Sequence, residues 1–290
     1  MFSVIAPGKL FIMGEYAVLD GAPAIVAAVD HGVRCRVTTG AGIGAPDTNF
    51  VGPALKAVEA PTLRYEFTQW RPLDLPFKVG VGSSAAATVA AVAAGNFARC
   101  RDIGDDPSIA ARVHREVQGS GSGLDVWASW VGGVNLFRRN GDGGYEGTPT
   151  ATPPVTVIHT GQVAKTGPRV ERWLNWSSKE RADFSVVAAE CTEQFESDPV
   201  GALSTYGKLL SRATASAGVD YMTENHKSIC RLAELFGGAA KPSGAGGGDI
   251  AVAIIPDPKR RKLFVDACLS SRFPVIPLSV CRGVSVESKL

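Results

Sequence analysis

The chain has 290 residues, 45% hydrophobic and 20% charged, with 30 Lys+Arg against 28 Asp+Glu for a net charge of +2. That length suits two lobes better than one domain, and the ordinary composition describes a globular protein. The charge balance excludes nucleic acid as a main partner while allowing a local basic pocket, and six scattered cysteines without a C-x-x-C pair exclude a disulfide framework or zinc site.

The first ten residues lack the basic start and long apolar core of a secretory signal. The most apolar stretch, residues 22–29, is far short of the ~20 residues of a membrane span. A cytoplasmic location without membrane attachment is expected. Residues 2–6 read as a short strand stopped by Pro7-Gly8. Residues 10–13 and 24–29 are further apolar runs, and 33–38 alternate as a strand does. Between them, residues 14–21 form a turn carrying polar groups. Residues 40–62 are weakly patterned, and 63–67 suggest a strand. A helix is predicted from Ser83 to about Arg99, and another over 107–117 with Asp106 as N-cap. A glycine-rich loop, 118–125, precedes a helix over 126–131.

The stretch 138–154 is the clearest break in composition, and the domain boundary is placed there, giving lobes 1–150 and 151–290. The second half reads as a strand (155–159) and helices near 168–176, 178–195, 199–213 and 219–237. A third glycine-rich loop (241–249), a strand (250–255), a helix (258–270) and a last strand (275–280) follow. This order implies an α+β fold.

Residues 78–88, Lys-Val-Gly-Val-Gly-Ser-Ser-Ala-Ala-Ala-Thr, carry the strongest functional signal. Glycines let backbone approach a ligand closely, Ser83 or Ser84 can cap the helix that follows, and the free N–H groups at its start attract an anion. With Lys78 nearby, a nucleotide triphosphate is the expected ligand. The Walker A pattern is absent, the dinucleotide fingerprint is incomplete, and no protein-kinase signature occurs.

Pro7-Gly8-Lys9 with Gly14-Glu15-Tyr16-Ala17-Val18-Leu19, the loop from Gly80 to Ala86, and Ser243-Gly-Ala-Gly-Gly-Gly-Asp249 resemble the three motifs of the GHMP kinase superfamily, in family order. The resemblance implies a two-domain α+β fold, with an N-terminal ATP-binding lobe, a C-terminal ferredoxin-like lobe and an active site in the cleft. It assigns Asp125 as the catalytic carboxylate with Lys9 beside it. Lys78, Gly80, Gly82, Ser83, Ser84, Ala85, Gly246 and Gly247 would bind ATP, with Ser84 on Mg²⁺. Lys9, Glu15, Tyr16, Ser120, Gly121, Ser122, Asp125, Lys241, Ser243, Gly244 and Ala245 would line the acceptor site.

Finer details are similar to the phosphomevalonate kinases: Tyr16 where mevalonate kinases carry histidine, Lys78 two residues before the glycine loop, and Asp249 closing the third motif. The expected reaction is ATP-dependent phosphorylation of phosphomevalonate. Mevalonate kinase and a catalytically silent nucleotide-binding paralogue are the alternatives. A hydroxyl acceptor would need Asp125 as base. A phosphate acceptor needs little base strength but more cations, which Lys9, Lys78 and Lys241 would supply, with Arg138, Arg139 and Arg169 as looser candidates.

One departure stands out. Mevalonate kinases place a magnesium-binding glutamate five residues before the glycine that opens the middle loop; counted back from Gly119, this chain has His114 there. The histidines show no metal-ligand spacing, and Trp127, Trp130, Trp173 and Trp176 read as packing residues. The chain is short in residues 40–75, which leaves the nucleotide-base contacts undefined. A monomer or homodimer is expected.

Overall fold

The computed structural model describes residues 1–71, 79–151, 153–164 and 166–287. Strand β1 (Phe2–Met13) runs straight through Pro7-Gly8, where a stop was predicted, and pairs with β2 (Ala24–Thr38) along its length. The register shifts at that dipeptide: Pro7 faces Gly32, and Gly8 faces Val29. Proline cannot donate to the ladder, so a bulge is where a strand tolerates it. Gly8 has a second reason to lack a side chain. A Cβ there would lie 2.3 Å from the His31 carbonyl oxygen and 2.7 Å from that of Val81. The close approach lets Lys9 N–H donate to Val81 C=O at 2.8 Å, which ties the glycine loop to β1.

The weakly patterned stretch 40–62 contains β3 (Gly42–Gly44) and a helix, α1 (Thr48–Ala57). Gly52 and Pro53 obscure that helix in the sequence, although Asp47 caps it by accepting from Asn49 N–H. β4 (Arg64–Trp70) pairs antiparallel with β2 and parallel with β3. Helices α2 (Ser83–Cys100), α3 (Ser108–Gln118) and α4 (Leu124–Val131) cover one face of this sheet, packing Val89, Ala93 and Val126 on Val4, Val37 and Phe67. Asp106 accepts from Ser108 N–H, while Pro107 stands just ahead of α3 rather than in its first turn. The composition break at 138–154 is largely a hairpin: β5 (Val134–Arg139) pairs with β2 and with β6 (Tyr145–Pro149) around a turn at residues 140–144.

The C-terminal lobe contains β7 (Val155–His159), α5 (Thr166–Asn175), α6 (Ser178–Glu193), α7 (Pro199–Ser216), α8 (Glu224–Leu235), β8 (Ala239–Pro242), β9 (Ile250–Ile254), α9 (Pro258–Ser270) and β10 (Val275–Ile276). Its antiparallel sheet has the order β10-β7-β9-β8. The unbroken apolar run of β9 marks a strand covered on both faces. Ala251 and Ala253 meet Ile229 of α8 and Phe264 of α9. Ile250, Val252 and Ile254 share a core with Phe184, Leu203 and Leu210 of α6 and α7, and with Leu10 and Ile12 of β1. One apolar core therefore joins the lobes beneath the cleft.

The strand predicted over 275–280 is only two residues long. Beyond it the chain returns to the N-terminal lobe: Cys281 N–H donates to Ala28 C=O at 3.1 Å, and β11 (Ser285–Glu287) pairs antiparallel with β1. The N-terminal sheet thus has the order β11-β1-β2-β4-β3, with β5 and β6 attached to β2. The architecture is the two-lobed α+β fold implied by the motifs. Among the described residues, no helix is long and apolar enough to cross a membrane.

Candidate active site

Gly82, not Ser83 or Ser84, is the N-cap of α2; its backbone is left-handed (φ 79°) and no side chain caps the helix. The first helical bond runs from Ala86 N–H to Gly82 C=O at 3.1 Å, so the N–H groups of Ser83, Ser84 and Ala85 lie outside the helical ladder. At the start of an 18-residue helix these donors form an anion site. Gly80, Gly82, Ser83 and Ser84 line a cleft of about 1120 Å³ between the lobes. The Ala85 side chain does not; it is buried in the core beneath α2.

Lys9 reaches this helix start from β1. Its Nζ lies 3.3 Å from Asp125 Oδ2, and a Cβ on Gly82 would meet Lys9 Cγ at 3.0 Å. Asp125 projects from the first turn of α4, whose N-cap is Gly123 (φ 78°), with Ser122 Oγ accepting from Leu124 N–H. Ser120, Gly121 and Ser122 form the adjoining wall. Ser84 Oγ lies 3.2 Å from His114 Nε2, and the His114 ring stacks on Phe50 at 5.3 Å. Burial pushes the His114 pKa down, with Lys9 adding to the effect and Asp125 opposing it, so the ring is neutral near pH 7.

The third glycine loop closes the opposite side. Ser243 Oγ donates to Phe11 C=O at 2.8 Å, and Tyr16 Oη donates to Ala245 C=O at 2.8 Å. Tyr16 has φ 64°, a strained value for a residue with a Cβ, and its burial raises the phenol pKa. Gly244 N–H donates to Glu15 Oε1 at 3.3 Å, and Tyr206 Oη donates to the Glu15 carbonyl at 2.6 Å. The first motif and the third loop are thereby bonded to each other across the lobes.

Three expectations need correction. Lys241 does not bring a cation to the acceptor: it is fully buried, away from the cleft lining, with Nζ bonded to Glu15 Oε1 and, at 3.0 Å, to Pro242 C=O. Burial lowers its pKa, and Glu15 opposes that shift. Gly247 faces away as well. Its N–H donates to Tyr221 C=O, and a Cβ there would strike the Arg169 guanidinium, whereas Gly246 does line the cleft. Of the looser candidates, Arg138 is ion-paired to Glu193 at 2.6 Å, Arg139 lies over the Tyr145 ring, and Arg169 donates to Asp220 C=O. Lys78 lies outside the described residues.

None of the motifs marks the N-terminal end of the cleft. Val33, Phe50, Phe67, Val79 and Ala87 supply apolar surface there, while His31 Nε2 lies 2.8 Å from Gln69 Nε2. The alternation of β4 places Phe67 inward, but α1 was hidden, and Phe50 with it. For a magnesium ion, Ser84 Oγ and the Asp125 carboxylate are oxygen donors at the anion site. The described residues contain no group of three or more His, Cys, Asp or Glu placed to hold a metal. Such a donor set suits an ion that arrives largely ligated by phosphates and water.

Models of the GHMP kinase family match the chain twice, the N-terminal domain over residues 54–133 and the C-terminal domain over 192–275. The chain is 28% identical to a phosphomevalonate kinase from a Streptomyces species, aligning 86% of this chain and 88% of that protein. It is 27% identical to the mevalonate kinase of Archaeoglobus fulgidus over 90% and 94%. A solved structure from Listeria innocua superposes with a TM-score of 0.89 at 22% identity over 99% of both chains. The Streptococcus pneumoniae phosphomevalonate kinase, in complex with phosphomevalonate and AMPPNP, superposes at 0.77 with 19% identity over 97% of this chain and 100% of that one.

Proposed function

We propose that this chain, which belongs to the GHMP kinase family and is an ATP-dependent kinase, transfers the γ-phosphoryl group of ATP to (R)-5-phosphomevalonate. The product is 5-diphosphomevalonate, on the mevalonate route to isoprenoids. The observation that carries the kinase chemistry is the Lys9–Asp125 pair, 3.3 Å apart, set between the uncapped start of α2 and the third glycine loop. Phosphoryl transfer requires positioning and charge neutralisation more than covalent chemistry. In this reading the N–H groups of Ser83 and Ser84 hold nucleotide phosphates, and the base rests among Val33, Phe50 and Phe67. Lys9 stands between the transferred group and the acceptor, and Asp125 fixes Lys9. Ser84 and Asp125 would hold magnesium, which when bound neutralises phosphate charge. The wall formed by Ser120, Gly121 and Ser122 faces the acceptor, with Tyr16 and Ala245 across from it.

The phosphorylated acceptor is favoured by Tyr16, by Asp249 at the end of the third loop, and by similarity to a phosphomevalonate kinase over most of both chains. One observation favours mevalonate instead. With Lys241 withdrawn, Lys9 is the one Lys or Arg among the described cleft-lining residues, and a lysine-held carboxylate suits deprotonation of a hydroxyl. Phosphorus NMR of the product tests the choice. A diphosphate with two mutually coupled resonances is expected from phosphomevalonate; a phosphomonoester made only from mevalonate would select the second reading.

A further inference from the structure

The two ring nitrogens of His31 have fixed roles. Nδ1 lies 3.0 Å from the Arg71 carbonyl oxygen, which can only accept, so Nδ1 carries a proton and donates it. Gln69 Nε2, which can only donate, faces the other ring nitrogen at 2.8 Å, so that nitrogen accepts. Turning the amide over would set Gln69 Oε1 against Nε2, leaving two acceptors face to face. The Arg71 end of this chain of bonds is itself anchored. The Arg71 guanidinium is ion-paired to Asp30, whose other carboxylate oxygen accepts from Ser279 N–H at 2.7 Å.

His31 is 4% exposed, whereas Gln69 is exposed, and both line the cleft. The second amide N–H of Gln69 and its Oε1 have no partner among the described residues, so a donor and an acceptor stand side by side with one orientation. Their place in the cleft fits a base. Gln69 pairs across the sheet with Val33, and Phe67 lies two residues back on the same face of β4. The phosphate loop is close by: a Cβ on Gly8 would lie 2.3 Å from the His31 carbonyl oxygen and 2.7 Å from that of Val81. A nucleotide with its phosphates on the start of α2 thus has apolar ring surface and one oriented amide at the other end of the site.

The chemistry of that amide separates the purines. Adenine offers a donor on N6 beside the N7 acceptor, which one amide can meet in two bonds. Guanine and hypoxanthine carry an oxygen at the same place, so they show two acceptors there. We propose that the Gln69 amide reads the purine of the nucleotide, selecting adenine over bases with an oxygen on the sixth carbon. His31 is the positioning residue that fixes which way the amide points. The inference rests on the reading that this end of the cleft holds the base, but not on which acceptor is phosphorylated.

The test compares ATP with ITP, which differ at the sixth carbon and the adjoining N1. With the unmodified enzyme, kcat/KM for ITP is expected to lie about 10–100-fold below that for ATP. A gap smaller than about tenfold overturns the inference without any variant. Gln69→Leu is expected to raise the KM for ATP about tenfold, hold kcat within about threefold and close most of the gap to ITP. His31→Phe removes the acceptor that orients the amide and is expected to narrow the gap chiefly by improving the use of ITP. Circular dichroism melting reports the fold of both variants. A purely structural pair would lower the melting midpoint and leave the ATP-to-ITP ratio as it was, which overturns the assignment. Calorimetric affinities for ATP and ITP, measured without an acceptor, keep the two readings apart. Selective binding of ATP without turnover of mevalonate or phosphomevalonate removes the proposed reaction alone; equal binding of ATP and ITP removes this inference alone.

Discussion

The proposed function gives Lys9 and Asp125 distinguishable duties, which substitution of each in turn would separate. On the proposed function the acceptor is an already ionised phosphate, and Asp125, 3.3 Å from Lys9, would then act by holding that lysine rather than by taking a proton. Asp125→Asn is expected to lower kcat about tenfold, well short of the 10²–10⁴ lost with a general base. Lys9→Met removes the cation between two polyanions and is expected to cost about 10²–10³, the larger of the two effects. Steady-state kinetics decide, and the reverse order would indicate a hydroxyl acceptor. His226 provides a pH signature. Burial of its ring pushes the pKa down to about 4, below the 6.5 of an exposed histidine. The unfolded chain therefore binds the proton first, and stability falls as pH drops from about 6.5 to about 4, by about 1.4 kcal/mol per unit. Urea titrations should show this slope, and His226→Gln should remove that share of it. That Lys9, Ser84 and Asp125 line one cleft was legible because each sits inside a recognisable motif. The withdrawal of Lys241 was not. A lysine beside glycines reads as a surface cation, and its partner Glu15 lies 226 residues earlier.

Among the elements, α2 was readable from its alanines and β9 from its unbroken apolar run, since both carry their burial in their own composition. β1 was misread as two pieces because Pro7-Gly8 is a stop signal in isolation and a bulge once β2 and the glycine loop pack against it. The same bulge places Lys9. α1 escaped notice because Gly52 and Pro53 break its pattern, although Val51, Ala54 and Leu55 are buried. The cap of α2 is the element most exposed to test. Gly82 has φ 79°, and a Cβ would press on Lys9 Cγ and Cε at 3.0 and 3.1 Å. Gly82→Ala combines left-handed backbone strain of about 1–2 kcal/mol with displacement of Lys9, so kcat/KM should fall at least about tenfold while the melting midpoint drops by a few degrees. Unchanged kinetics would mean that Gly82 is needed for folding alone.

At the level of the whole molecule, the order of motifs along the chain implied two lobes and a cleft, and the GHMP kinase fold is what the structure has. The shared core beneath the cleft could not be read in advance. It brings Leu10 and Ile12 of the first strand onto Val252 and Ile254 near the other end of the chain, and no local pattern reports such pairing. The return of β11 to β1 escaped for the same reason. These long-range contacts also withdrew Lys241 from the cleft and reopened the identity of the acceptor. Release of ADP, followed with (R)-5-phosphomevalonate and (R)-mevalonate in parallel, tests the central claim most directly. The account predicts turnover with phosphomevalonate at a kcat/KM at least about 100-fold above that for mevalonate, a difference of about 2.7 kcal/mol in transition-state binding. Turnover of mevalonate without turnover of phosphomevalonate would contradict it.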